Sequence, residues 1–274
     1  MTGTASPLLD LRRTTNHPLS LRYSEMFSQA LLDGPFEHGR TLALSFAQAT
    51  PFADAARSAL AHGLDRPDTI EVMGRVLQRY YETVQAGNAA QWLDVSPRSA
   101  LAAEPPWAAV LPWRARTVAS YRQVHEEAAL IENRSVGRDI GIADGWLGCG
   151  PVSEEKIRVE ADRILRLLRS IQAQGYVRSD APDGDVRVTA LVDEDHAWRW
   201  LVTAGTHRAA VLLALGGTSI PVRVNLVISR ADAPFWKHVV DGLFSLDEAL
   251  AVFDRIFHGR PNRVSQGWLA AALS

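Results

Sequence analysis

The stretch from Ser153 to Ile228 constrains the fold more than any other part of the chain, because it dictates both the type and the order of its elements. Ser153 stands where a helix N-cap belongs, Glu154 and Glu155 follow it, and Ile157, Ala161, Ile164, Leu165, Leu168 and Ile171 recur on one face until Gly175. A serine hydroxyl accepts from the free amides of a first turn, acidic side chains suit its positive end, and glycine ends the helix. An amphipathic helix is therefore predicted after Ser153. Two runs rich in Val and Trp, 187–193 and 198–204, are joined by the polar turn Glu194-Asp195-His196 and predict adjacent strands. The chain then bends at Gly205, a short apolar helix over 209–215 stops at Gly216-Gly217, and 220–228 reads as a third strand. That order predicts an α+β fold with a small mixed sheet.

The flanking regions are less regular. Residues 1–20 are polar and read as an arm. From Leu21 to about Gly87 the spacing is helical, first at Met26, Phe27, Ala30 and Leu31, then at Ile70, Met73, Val76, Leu77, Tyr80 and Tyr81. The Trp-containing passage from Glu104 to Trp113 is broken by Pro105, Pro106 and Pro112, so packed irregular chain is expected there. A helix is predicted over 118–133, and the glycine-rich segment 137–150 is the best boundary. The expected layout is an arm at 1–20, a mainly helical region at 21–149, the α+β unit at 150–230 and C-terminal helices at 231–274.

Composition narrows the function. The 274 residues are 47% hydrophobic and 22% charged, ordinary values for a folded protein. A formal net charge of -2 gives no basic field for a nucleic-acid backbone or an anionic membrane. The lone cysteine, Cys149, forms no internal disulfide and has no metal-ligand companion at zinc spacing, which fits a reducing, cytoplasmic setting.

The chemistry concentrates at Gly205-Thr206-His207-Arg208. Glycine at a strand-to-helix turn admits positive φ, the first-turn amides and the helix dipole favour an anion, and Arg208 supplies a guanidinium fork shaped for phosphate. Among nearby acids, Glu160 falls beside Ile157 and Ile164, near the apolar face of its helix, which makes it the candidate general base. Asp183 and Asp185, in the loop Ser179 to Asp185, are candidate ligands for Mg²⁺. Asp-Gly-Asp also serves plain turn formation.

The run Leu168 to Gly175 resembles the helix preceding the first core strand of the ParB/sulfiredoxin-like superfamily. Val202 to Val224, VTAGTHRAAVLLALGGTSIPVRV, resembles its phosphate-contacting turn, helix and following strand. The resemblance covers about residues 150–230. Thr206 stands where sulfiredoxins carry their nucleophilic cysteine, which excludes that chemistry. The partition proteins' Gly-Glu-Arg-Arg turn for CTP is not kept. The His-Arg pair of the superfamily's small-molecule kinases is kept as His207-Arg208, although Ala204 and Thr206 replace their Asp and first His. As a whole the chain resembles ParB-domain proteins of bacterial biosynthetic clusters. The resemblance implies ATP-dependent phosphorylation of a small hydroxyl-bearing molecule. Gly205, Thr206, His207 and Arg208 would hold the nucleotide, Glu160 and His207 would be catalytic, and Asp183 and Asp185 would hold Mg²⁺. Nucleotide sensing without turnover and a partition-like CTPase are the alternatives.

Overall fold

The computed structural model describes residues 8–179 and 184–273. Six strands form one sheet: β1 (Leu8–Asp10), β2 (Gln29–Pro35), β3 (Gly39–Arg40), β4 (Val186–Val192), β5 (Trp198–Ala204) and β6 (Ser219–Ser229), in the order β1-β2-β6-β4-β5-β3. β4 and β6 run parallel at the centre, with β5 antiparallel to β4 and β2 antiparallel to β6. Val186, Val188, Ala190, Leu191 and Val192 of β4 are all buried, as expected for a strand covered on both faces. The α+β class expected from the sequence is the class observed.

The N-terminal half departs from its helical expectation at β2. Ala30, Leu31 and Leu32 are buried in a strand that lies against β6, with Ala30 opposite Val224 and Leu32 opposite Val222. A strand covered on both faces carries a continuous apolar run, and the three-and-four spacing at 26–31 does not distinguish such a run from a helix stripe. Part of the arm also joins the sheet. β1 pairs with β2, and the Asn16 amide grips the Asp33 backbone, accepting from its N–H at 2.8 Å and donating to its carbonyl at 3.0 Å. Trp200 of β5 locks the far side of β2, its indole donating to the Pro35 carbonyl at 2.8 Å. Gly39 is needed here, since a Cβ would lie 2.6 Å from the Trp200 ring.

Helices α1 (Phe46–Ala49), α2 (Pro51–His62), α3 (Thr69–Thr83) and α4 (Ala89–Leu93) follow β3. α3 coincides with the predicted stripe, burying Met73, Val76, Leu77, Tyr80 and Tyr81. α5 (Val118–Arg134) starts at the Thr117 cap and buries a single residue, Asn133. α6 (Glu154–Gln174) is the helix predicted after Ser153, whose hydroxyl accepts from Lys156 N–H at 3.2 Å, and it ends at Gly175. α7 (Thr206–Ala214) links β5 to β6 and packs against α2 and α6. α8 (Lys237–Val240), α9 (Leu246–Phe257) and α10 (Gln266–Leu273) close the chain. The proline-broken passage is packed chain: Trp113 meets Trp236 and Phe253 at ring separations of 5.1 and 5.9 Å.

The glycine-rich segment near 150 does not hang free. Gly150 donates to the Val84 carbonyl at 2.9 Å, just past the end of α3. Strands from both sides of residue 150 enter the same sheet, and one hydrophobic core runs through both parts. Cys149 is buried there, and burial pushes its thiol up to about 11, which keeps it protonated and inert at neutral pH. Among the described residues no helix is long and apolar enough to cross a membrane.

Candidate functional site

β5 delivers the chain to Gly205 in the left-handed conformation, φ 83° and ψ 22°, and α7 begins on the next residue. A side chain here would be strained by φ and by packing, since a Cβ would lie 3.1 Å from Val186 Cα. Glycine also leaves the first turn of α7 without a side-chain cap. Thr206, His207 and Arg208 occupy that turn and are partly buried.

His207 is held from two sides. Its ring lies 4.6 Å from that of Phe52 on α2, and its Nε2 is 2.6 Å from Glu160 Oε2 on α6. Glu160 is fully buried, and its other oxygen meets Lys156 Nζ at 2.6 Å and Arg163 Nη1 at 2.7 Å. Lys156 Nζ also donates to Asn133 Oδ1 at 2.7 Å, and Arg163 Nη2 to the Glu132 carbonyl at 2.6 Å, which ties the end of α5 to the same carboxylate. Burial alone would raise the pKa of Glu160. His207, Lys156 and Arg163 outweigh it and hold the carboxylate at about 2.

Glu160 thus lies beside the turn as a fully buried carboxylate held ionised by three partners. Its contact with Nε2 restricts the orientations open to the His207 ring. Nε2 faces Glu160, so Nδ1 is the ring nitrogen that does not face the carboxylate.

The metal assignment fares differently. Asp183 lies outside the described residues. Asp185 is buried, its Oδ2 accepting from Arg223 Nε at 2.9 Å and Nη2 at 2.6 Å, while Oδ1 lies 3.3 Å from Arg178 Nε. Two guanidiniums already neutralise this carboxylate, and displacing them would leave two partly buried cations uncompensated. Among the described residues no three His, Cys, Asp or Glu side chains gather as a cation site. Asp185, the described one of the two expected Mg²⁺ ligands, is thus engaged by Arg178 and Arg223. Burial raises the pKa of the nearby Tyr176 phenol, Arg208 and Arg178 oppose that shift, and Asp185 adds to it.

A cleft of about 510 Å³ opens elsewhere, between α3 and the first turns of α6. Tyr81 lines it, and the field of Glu160 adds to the burial that raises the Tyr81 pKa well above its ordinary value. The i, i+4 spacing of Lys156 and Glu160 and the i, i+3 spacing of Glu160 and Arg163 are visible in the sequence. The contributions of Asn133 and Phe52 are not, because no local pattern connects them to α6 or α7. No protein-family model, curated protein or solved structure matches the chain.

Proposed function

We propose that the protein binds the phosphate groups of a nucleotide or phosphorylated small molecule at the Gly205–Arg208 turn, with His207 as its proton-carrying residue. One observation carries this reading: a buried, ionised carboxylate stands 2.6 Å behind the histidine of an uncapped helix N-terminus. A buried charge is costly to maintain, and here its partners aim one imidazole at a position where amides and a guanidinium favour an anion. The finer reading is ATP-dependent phosphorylation of a small hydroxyl-bearing molecule. A hydroxyl that gives its proton to Nδ1 of His207 leaves an imidazolium, which Glu160 stabilises through Nε2. The commitment of Asp185 to two arginines favours, as the second reading, nucleotide sensing without turnover.

Calorimetry with ATP and with CTP, each with and without magnesium, tests binding. Arg208→Ala should weaken it by about 2 kcal/mol or more with the fold intact. Equal affinity for parent and variant, or no nucleotide binding by the parent, overturns the reading. Release of ADP in the presence of small alcohols separates turnover from sensing.

A further inference from the structure

A second cationic site lies at the far end of the molecule from α7 in sequence, at the last turn of α9. Arg255 there is only 8% exposed, and it lines a hollow of about 340 Å³ together with Leu93, Val252, Arg260 and Pro261. Its Nη1 donates to the Leu42 carbonyl at 2.8 Å, but Nε and Nη2 have no hydrogen-bond partner. Arg40 shows what a purely structural buried arginine does in this fold: its guanidinium donates to three carbonyls, those of Phe257, Glu37 and Gly39.

The acids around the hollow do not make up the difference. Asp254 is spent on Arg230, which it meets through both oxygens at 2.8 and 3.0 Å. Asp94 accepts from the backbone N–H of Arg263 at 3.2 and 3.1 Å and comes no closer than 3.8 Å to Arg255. Arg260, exposed on the rim, has no hydrogen-bond or ion-pair partner for its side chain among the described residues. Burial lowers the pKa of Arg255 to about 10; Asp94 offsets this in part, and the like charge of Arg260 adds to it. Two guanidiniums thus face one hollow with their nearest carboxylates engaged elsewhere. Unsatisfied buried donors and like-charge repulsion are both relieved by an oxyanion.

We propose that this hollow binds the carboxylate or phosphate of a small organic molecule, held by Arg255 and Arg260 with its apolar part against Leu93, Val252 and Pro261. The site is separate from the α7 turn and does not depend on the function proposed there. Each guanidinium presents a planar fork that matches either oxyanion.

The test follows the arginine Nε–H resonances of the full-length protein by NMR during titration with inorganic phosphate or with acetate, against sodium chloride at matched ionic strength. Loss of one resonance in Arg255→Lys assigns Arg255. A saturable shift of that resonance with either anion is expected, and the anion that saturates first identifies the headgroup. Arg260→Ala, an exposed substitution that leaves the fold intact, should weaken the saturable response at least tenfold. Arg208→Ala should leave it unchanged. Shifts equal to those in chloride, an undiminished response in Arg260→Ala, or loss of the response in Arg208→Ala would each overturn the proposal. If Arg255→Lys fails to fold, the Arg260→Ala and Arg208→Ala titrations still decide it.

Discussion

Glu160 contributes to stability only while it is ionised, and its partners make that contribution large. Its folded pKa of about 2 lies below the ordinary value of 4.5, so the stabilisation is fully present above pH 4.5 and is lost as pH falls towards 2. The difference corresponds to about 3 kcal/mol. Urea unfolding of the parent and of Glu160→Gln across this range should give curves separated by that amount at neutral pH and converging near pH 2. Parallel curves would show that the carboxylate is not held by its charge. At this scale half of the site was legible in the sequence. Helical spacing brought Glu160 to the apolar face of α6, and Gly205 marked the turn, but periodicity carries no information about which buried polar groups meet across elements. It therefore does not foretell that Glu160 meets His207 or that Arg178 and Arg223 hold Asp185.

Among the elements, α5 stands apart. It exposes Val124, Leu130 and Ile131 and buries Asn133 alone, so its C-terminal end is held by polar contacts more than by apolar area. Asn133 donates to the Ile140 carbonyl at 2.9 Å and accepts from Lys156, which also holds Glu160. Asn133→Ala should strip a hydrogen bond from a buried ammonium and free the end of the helix. Amide hydrogen exchange is expected to speed up across the last turns of α5 while α3 stays protected. Unchanged protection in α5 would mean that its apolar contacts suffice. The elements also differ in how openly the sequence declares them. α6 declares itself through Ser153, its stripe and Gly175, and β4 through its Val-rich run. β2 does not, because Ala30, Leu31 and Leu32 carry no alternation when both faces are covered, and its partner β6 lies far along the chain.

For the whole molecule, the decisive fact is that the sheet is shared. β4, β5 and β6 are flanked by β2 and β3 from the N-terminal part, and the indole of Trp200 reaches across to Pro35. A fragment spanning residues 150–230 would expose the edge of β6 and the ring of Trp200. It is expected to lack a cooperative thermal transition by circular dichroism, whereas the full chain should unfold in a single step. A fragment that unfolds cooperatively on its own would show that the N-terminal strands are an addition to a complete unit.

The pairing of β2 with β6 also sets an order of events during synthesis. Ala30 leaves the ribosome well before Val224, its partner, which lies 194 residues further along the chain (224 − 30). At 5–20 residues per second the wait is roughly 10 to 40 s. Throughout that interval Ala30, Leu31 and Leu32 have β1 on one edge but lack β6 on the other, which leaves that edge able to pair with the same segment of a neighbouring nascent chain. Whatever covers this strand before β6 emerges therefore competes with that mispairing.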